Sequence, residues 1–548
     1  VGRMIMRGLM MDNPLLISSI VEHADINFPD REIVSVMSDD LIHRYTYQDC
    51  FKRVRKLANA LTSIGLSEGD RIATIAWNDY RHLEAYYAIG GAGYVCHTIN
   101  PRLFPEQIVF MINHAEDKWL MIDPLFIPLI EKLSSQIPNV EGYIVMGDEE
   151  SIKNTSLDNV ISYEKLIGNE SDQFSWPHLD EKSAMGLCYT SGTTGDPKGV
   201  LYNHRAMVLH AFALIAPDAM NLSNRDCVLP VVPLFHVNSW GSPYGAMMVG
   251  AKIVYPGPKM ADGETLYNLM EDEGVSVSLG VPTVWLVLLQ YAAEHNKKLE
   301  SLQRTVIGGA AVPESMIREF HEKHDVFVQQ AWGMTEMSPL GTVMSLKHGM
   351  QDLTHDAIVE FQTKQGRGMF GVEMRIVNDD QEILPWDGKA FGALQVRGPW
   401  VCSDYYKLEG NAGSHTDDGW FNTGDVAKID PDGFMQITDR TKDVIKSGGE
   451  WISSIEIENT AMGHPSIAEA AVIGVYSEKW TERPLLIVVK NKDQKLSKEE
   501  IMTFMDGKIA KWWIPDDVVF IDEIPHTATG KIKKTALREQ FSDYKSAE

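Results

Sequence analysis

A chain of 548 residues with a formal net charge of −26 is too long for one ordinary core, and too acidic for nucleic acid or an anionic membrane surface to be its main partner. The five cysteines, Cys50, Cys96, Cys188, Cys227 and Cys402, show no CxxC spacing, which argues against a zinc site or a disulfide framework. No apolar run approaches the roughly 18 residues of a membrane span, and the opening VGRMIMRGLMMDN has no signal-peptide apolar core, so a cytoplasmic location is expected.

Strand-like and helix-like segments alternate through most of the chain, which is the signature of an α/β protein. RIATIAW from Arg71 reads as a strand, Arg81 to Gly90 as a helix and KWLMID from Lys118 as the next strand. Further strands are expected at VEGYIVM, CVLPVVP, AKIVYP and VSVSLGV, each followed by helical periodicity. Between them MGLCY, Met185 to Tyr189, reads as a buried strand feeding a polar loop, with an apolar helix expected beyond the loop. From about Gly366 the texture turns to short pieces rich in Gly and Asp, which read as hairpins with Asp-Gly turns and a small β subdomain. After Arg440 a compact α+β unit begins, with a helix at IEIENTAMGHP, strands at EAAVIGVY and RPLLIVVK, a helix at SKEEIMTFMDGKIA and a strand at DVVFIDEIP. Two domains are expected, 1–440 and 441–548, the second of a common domain size.

Five segments carry chemistry. The loop TSGTTGDPKG, Thr190 to Gly199, combines the hydroxyls of Thr190, Ser191, Thr193 and Thr194 with Gly192, two more glycines and Lys198. Bare backbone N–H groups, hydroxyl donors and one cation suit it to wrapping phosphates. It is not a Walker A loop, because Gly199 is followed by Val200 rather than Ser or Thr. In QQAWGMTEM, Trp332 has a ring that stacks on a planar base, Thr335 a hydroxyl for a phosphate oxygen, and Glu336 a carboxylate suited to Mg²⁺. Taken singly, a core aromatic and a solvated loop acid explain Trp332 and Glu336 better. Asp425 in DDGWFNTGDVAKID has the carboxylate that could grip two ribose hydroxyls, and an ordinary turn aspartate is its alternative. Arg440, Lys442, Asp443 and Lys446 crowd TDRTKDVIKSGGEWIS, and Lys531 follows Gly530 in PHTATGKIKKTALR.

Together and in this order, these segments resemble the adenylate-forming superfamily of acyl-CoA synthetases, nonribosomal-peptide adenylation domains and firefly-type luciferases. The resemblance covers essentially the whole chain. It implies a large N-terminal adenylate-forming domain, made of α/β subdomains and a small β subdomain, followed by a mobile α+β C-terminal domain. It implies two half-reactions, in which carboxylate and ATP give an acyl-adenylate and pyrophosphate, and a thiol then displaces AMP. By the same resemblance the Thr190 to Gly199 loop holds the β- and γ-phosphates, Glu336 binds Mg²⁺, Thr335 contacts the α-phosphate and Lys531 bridges carboxylate and α-phosphate. Asp425 and Arg440 hold the ribose, Trp332 stacks on adenine where family members usually carry tyrosine, and Gly309, Ala310, Ala311, Gln330, Ala331, Gly333, Met334 and Ile437 complete the nucleotide site. Lys442 takes the hinge position, Lys446 aids thioester formation, and Ser447, Gly448, Gly449, Glu450 and Trp451 line the tunnel for CoA. The partners implied are ATP, Mg²⁺, CoA and a small carboxylic acid, with a homodimer as the family habit.

The resemblance puts the acyl-pocket wall at PLFHVNSWG, Pro233 to Gly241, with His236 as an aromatic gate and Val237, Asn238, Trp240, Gly308, Gly309 and Pro339 around it. An indole at Trp240 projecting into the channel would occupy the space a long alkyl tail needs, whereas a core-facing Trp240 would leave it open. As a whole the sequence is similar to bacterial ligases of 3-methylmercaptopropionate, enzymes of dimethylsulfoniopropionate demethylation, whose thioether acid suits a narrow apolar pocket. A short- or medium-chain fatty acid ligase, and a stand-alone adenylation enzyme loading a carrier protein, are the alternatives.

Overall fold

The computed structural model describes residues 8–190, 197–408, 413–447, 450–491, 494–526 and 532–544. Among them, four sheets of seven, nine, four and five strands account for the strand pairing. The seven-stranded sheet is parallel at its centre, with Arg71–Ile75 flanked by Val95–Thr98 on one side and Trp119–Ile122 on the other. Val95–Thr98, Trp119–Ile122 and Gly142–Val145 are buried at every position, which is why the last two read as short apolar runs rather than alternating ones, while Val95–Thr98 carries the buried polar His97 and Thr98. The nine-stranded sheet has Glu32–Val36, Lys252–Tyr255, Cys227–Pro230, Val277–Gly280, Arg304–Ile307 and Phe327–Gly333 as its parallel core. Ile72, Tyr86 and Met207 share one core with Leu234, Ile253 and Trp332, so the two large sheets bury against common helices.

The expected helix directly beyond the polar loop is displaced. Gly199–Asn203 runs back antiparallel to Ala184–Tyr189, with Tyr189 opposite Gly199, and only then does the helix His204–Ile215 begin. The β-favouring run Val-Leu-Tyr extends the sheet, and Asn203 caps the helix by accepting from Ala206 N–H. The four-stranded sheet is the expected small β unit, with strands Glu373–Val377, Phe391–Arg397, Phe421–Ile429 and Met435–Arg440. Its last turn holds Asp432-Gly433, where Gly433 has φ +87° as such a turn requires. Ile467–Ser477 and Thr481–Lys490 form a long hairpin in the five-stranded sheet, with Asp517–Phe520 parallel to the second strand and apolar clusters on both faces. Among the described residues no helix is long and apolar enough to cross a membrane.

Two buried polar clusters tie helices together. The Glu84 carboxylate is inaccessible, yet it accepts from Arg53 Nε at 2.8 Å, Tyr45 hydroxyl at 3.0 Å and Tyr163 hydroxyl at 2.6 Å, so three elements meet on one satisfied anion. His210, on the helix His204–Ile215, accepts the Leu340 backbone N–H through Nε2 at 3.1 Å and lies edge-on to Trp400. Burial lowers its pKa to about 3, so it is neutral in the folded protein.

Replacing Glu84 with Ala, which strands two buried hydroxyls and leaves Arg53 with Glu164 alone, is expected to cost about 3–5 kcal/mol, against less than about 0.5 kcal/mol for Lys323→Ala in an exposed pair, by denaturant titration. His210 also sets an acid limit. Unfolded, it takes its proton near 6.5, and folded only near 3, so its contribution to stability falls as pH drops below 6.5. His210→Gln, which keeps an acceptor for Leu340, should therefore show a smaller loss of Tm between pH 7.5 and 5 than wild type.

Candidate active site

The neck of the phosphate-type loop is closed by two hydrogen bonds, from Thr190 N–H to Lys198 O at 2.9 Å and from Lys198 N–H to Thr190 Oγ1 at 3.1 Å. Ser191, Gly192, Thr193 and Thr194 lie outside the described residues. Lys198 projects its ammonium over the ring of Tyr405, 4.9 Å from the centroid, and the Tyr405 hydroxyl donates to Glu336 Oε1 at 2.6 Å. Tyr406 N–H meanwhile bonds Gly199 O at 2.8 Å, which sews the segment carrying both tyrosines to the end of the loop. A Cβ at Gly199 would stand 3.2 Å from Tyr189 and Tyr406, so the seam needs a small residue.

Thr335 and Glu336 sit in a single 3₁₀ turn after the strand Phe327–Gly333 and are both buried. Backbone contacts hold this turn from two sides, since Thr335 O accepts from the Tyr202 hydroxyl at 2.6 Å and Glu336 O from Cys402 N–H at 2.7 Å. Burial raises the Glu336 pKa and the nearby Asp425 charge adds to it, while Tyr405 and Arg440 pull it back down. An anion held this way is short of positive charge. Its Oε2 has no hydrogen-bond partner among the described residues, and no group of three or more His, Cys, Asp or Glu is gathered there. That donor set fits Mg²⁺ bound by one carboxylate, substrate phosphates and water, not a cage built wholly of protein.

Asp425 lies within Phe421–Ile429, directly across the ladder from Arg440. Its Oδ1 takes Arg440 Nε at 2.9 Å, and its Oδ2 accepts the Trp332 indole N–H at 2.8 Å. Trp332 is thus part of the core and a donor to the site at once. Gln330, expected in the nucleotide site, has its side chain engaged elsewhere. That side chain is buried between Gln362 and Gln365, donating to Gln362 O at 2.9 Å and accepting from Gln365 Nε2 at 2.7 Å. Gln365 also accepts from Ile437 N–H at 2.7 Å, which carries the strand of Arg440 toward the same network. Gly309, Ala310 and Ala311 are exposed at the end of Arg304–Ile307, and Gly309 has φ +82°. Met334 is half-buried, its N–H bonded to Pro339 O at 3.0 Å.

The acyl wall has an uncommon backbone. Val237, Asn238, Ser239 and Trp240 all adopt positive φ, 48°, 54°, 46° and 55°, and Gly241 follows at 79°. A left-handed turn of this kind costs about 1–2 kcal/mol for each non-glycine residue, so neighbouring contacts must hold it. Ser239 Oγ donates to Val232 O at 2.7 Å. Asn78, wholly buried, grips the preceding stretch by donating to Pro230 O and Val232 O at 3.1 and 2.9 Å and accepting Leu234 N–H at 2.7 Å. The turn aims the Trp240 indole at Gly308, where an added Cβ would stand 3.1 Å from Cη2 and 2.8 Å from Ala331 O. Trp240 is therefore buried against the backbone that joins the acyl and nucleotide regions. His236, with Thr98, Asn100 and Tyr189, lines a small cleft beside it, and Pro339 is buried.

Lys531, Gly448, Gly449 and the Glu450 side chain lie outside the described residues. Lys446 pairs with Asp379 of the four-stranded sheet at 3.2 Å and lies over Trp451, which meets Phe391 edge-on at 6.0 Å. Ser447 is buried, with Arg483 Nη1 at 3.4 Å from its hydroxyl. Lys442 is exposed, and partial burial of its ammonium lowers its pKa. On either side of it, Ser453 Oγ donates to Thr438 O, Ser454 N–H to Asp439 Oδ2 at 2.6 Å, and Arg538 pairs with Asp443 at 2.6 Å. Tyr405, Tyr202, Asn78 and His210 are the residues that sequence motifs missed. None sits in a motif, and only the fold brings them to the site.

Two family models cover the chain, "AMP-binding enzyme" over residues 21–406 and "AMP-binding enzyme C-terminal domain" over 456–531. A 3-methylmercaptopropionyl-CoA ligase of Ruegeria lacuscaerulensis is 52% identical over 540 residues, spanning 98% of this chain and 99% of that protein. A medium-chain-fatty-acid–CoA ligase of Ectopseudomonas oleovorans is 51% identical over 538 residues, with 98% of each chain covered. In fold, the crystal structure of the anthranilate CoA ligase AuaEII in complex with anthranoyl-AMP superimposes with a TM-score of 0.83 at 22% identity, over 96% of this chain and 98% of that one. With a full-length match at this identity and a two-part architecture carrying every motif in order, the chain belongs to the AMP-binding enzyme family and is an ATP-dependent, acyl-adenylate-forming acid–thiol ligase.

Proposed function

We propose that this ligase joins 3-methylmercaptopropionate to CoA. The observation that supports the choice of acid is the Trp240 indole lying against Gly308, both among the residues expected to wall the acyl pocket, where the ring would shorten the space open to an acyl chain. The Ruegeria relative named for that acid supports it as well. The second reading is a short- or medium-chain fatty acid, favoured by the Ectopseudomonas relative at nearly equal identity. Loading of a pantetheinylated carrier protein is a third, separable by the thiol offered.

In the first half-reaction a carboxylate oxygen attacks the α-phosphorus, the bond to the bridging oxygen of the β-phosphate breaks, and pyrophosphate leaves. In the second, a thiol sulfur attacks the acyl carbonyl, the acyl–oxygen bond to AMP breaks, and the thiol proton is given up. The first step brings anions together, so fixed cations and donors do most of the catalytic work. Lys198 and the loop from Thr190 meet the outer phosphates, Thr335 donates to the α-phosphate, and Lys531 bridges it to the incoming carboxylate. Asp425 and Arg440 hold the ribose, and Trp332 offers a face to adenine. Mg²⁺ bound at Glu336 would neutralise phosphate charge, and Tyr405 orients that carboxylate through its hydroxyl. Rotation about Lys442, between 1–440 and 441–548, then exchanges Lys531 for Lys446 and the Ser447 to Trp451 stretch, where CoA enters. A cytoplasmic homodimer belongs to the same proposal, supported by family habit alone.

CoA-dependent AMP release across acetate, octanoate, palmitate and 3-methylmercaptopropionate should be fastest with the thioether acid, and Trp240→Ala should gain activity on the longer acids. Preference for palmitate by wild type overturns the assignment, and release with a carrier protein but not with CoA favours the third reading. Tyr405→Phe keeps the ring under Lys198 and removes one hydrogen bond to an anion. It should lower kcat/KM in ATP–pyrophosphate exchange by about 10-fold or more and weaken MgATP binding in calorimetry.

A further inference from the structure

Trp332 does something that a tyrosine in its place would not. The strand pairing between Phe327–Gly333 and Leu340–Val343 shifts register between Trp332 and Gly333, a bulge of the kind that re-aims a side chain. Gly333 permits it, since a Cβ there would stand 2.2 Å from Pro339 O. The indole is then pressed onto bare backbone at Gly341, where an added Cβ would come within 2.6 Å of its Cζ3. Packed this tightly, with 8% of the residue exposed, the ring has one orientation, and in it Nε1–H points at Asp425 Oδ2 from 2.8 Å. The indole carries its donor on the flank of the ring, close to the backbone, whereas a phenol carries its polar atom at the far tip.

The carboxylate so addressed is itself buried, with 4% of Asp425 exposed. The Trp332 indole N–H donates to Oδ2, and Arg440 Nε stands 2.9 Å from Oδ1 as an ion pair. An ionised carboxylate has about four acceptor positions, two on each oxygen, so at least one remains on each. Two acceptors fixed side by side match the two hydroxyls of a ribose. We propose that Trp332 is a positioning residue for the ribose, its indole N–H and the Arg440 guanidinium together orienting Asp425 to accept the 2′- and 3′-hydroxyls. The proposal rests on the reading that Asp425 holds the ribose, and makes Trp332 a determinant of ribonucleotide preference in addition to any stacking role.

The test is ATP–pyrophosphate exchange with ATP and with 2′-deoxyATP, together with calorimetric binding of AMP and 2′-deoxyAMP, for wild type, Trp332→Phe, Trp332→Tyr and Asp425→Asn. Wild type should prefer the ribonucleotide by about 10-fold or more, the worth of a hydrogen bond to a charged group. Both Trp332 variants should reduce that ratio at least threefold, through a larger loss of binding for the ribonucleotide than for the deoxynucleotide, which keeps only its 3′-hydroxyl for Asp425. Equal loss for both nucleotides means the indole only packs or stacks, and the proposal fails. If Asp425→Asn abolishes the preference while the Trp332 variants keep it, the positioning role alone is wrong. If Asp425→Asn leaves the preference intact, the ribose reading falls and takes the proposal with it. A measurement on the wild-type protein guards against variants that do not fold. In ¹⁵N-tryptophan-labelled protein the Trp332 indole N–H resonance should move further on adding AMP than on adding 2′,3′-dideoxyAMP, whose adenine alone accounts for the smaller shift; equal movement with both nucleotides, or movement with neither, overturns the assignment.

Discussion

Two buried carboxylates close enough to repel one another, Glu336 and Asp425, set the terms for the rest of the site. The ligands of such an enzyme, a nucleotide and a carboxylic acid, bring still more negative charge, in a protein already at −26. Ionised groups cannot be stacked in this way without compensation in a medium of low dielectric. The structure supplies it in graded form. Arg440 neutralises Asp425 directly, Tyr405 and Trp332 each donate one hydrogen bond to an anion, and Lys198 is held on an aromatic ring within reach of the loop. Each donor is itself fixed by packing or by backbone pairing, so little reorganisation is left for the moment when charge shifts during reaction.

The acyl side follows a different logic, in which shape rather than charge is fixed. Four non-glycine residues in left-handed conformation would relax if released, and Asn78 and Ser239 prevent this by binding the chain before and within the turn. Asn78 stands just after the strand Arg71–Ile75 of the seven-stranded sheet, while the stretch it grips follows Cys227–Pro230 of the nine-stranded sheet. The segment proposed as the acyl wall is therefore referenced to both sheets, and its position depends on how the two sheets pack.

The parts of this arrangement that were legible in sequence are those written in contiguous residues. Parallel strands announce themselves as short apolar runs, the small β unit by its Asp-Gly turns, and the nucleotide machinery by motifs in a set order. The strand Gly199–Asn203 escaped because its apolar residues run on into the helix behind it and blur the boundary. Gln330 stands in the same strand as Trp332, and its side chain is committed to a buried amide network with Gln362 and Gln365, partners that lie more than 30 residues away and are not visible in the motif. Trp332 is a core aromatic, and its indole N–H also reaches Asp425, a contact that the motif does not announce. Tyr405 and Asn78 could not be found from sequence at all, since the partners that give them meaning lie 69 and more than 150 residues away.

The contacts around Lys442 differ sharply in kind with distance from it. Close by, Ser453, Ser454 and Asp439 make hydrogen bonds out of water, and Lys534 reaches Glu458 at 2.8 Å with both groups largely covered. The last part of the chain also meets the small β unit through the solvent-facing pair of Lys446 and Asp379 and the edge-on contacts of Phe391 with Trp451 and Trp513. Solvent-facing ion pairs contribute about 0–1 kcal/mol, a scale that thermal energy and ordinary salt both challenge. Raising the ionic strength therefore weakens the Lys446–Asp379 pair but leaves the buried bonds from Ser453 and Ser454 to Thr438 and Asp439, which join the two sides of Lys442, so those bonds are the larger cost of any movement there.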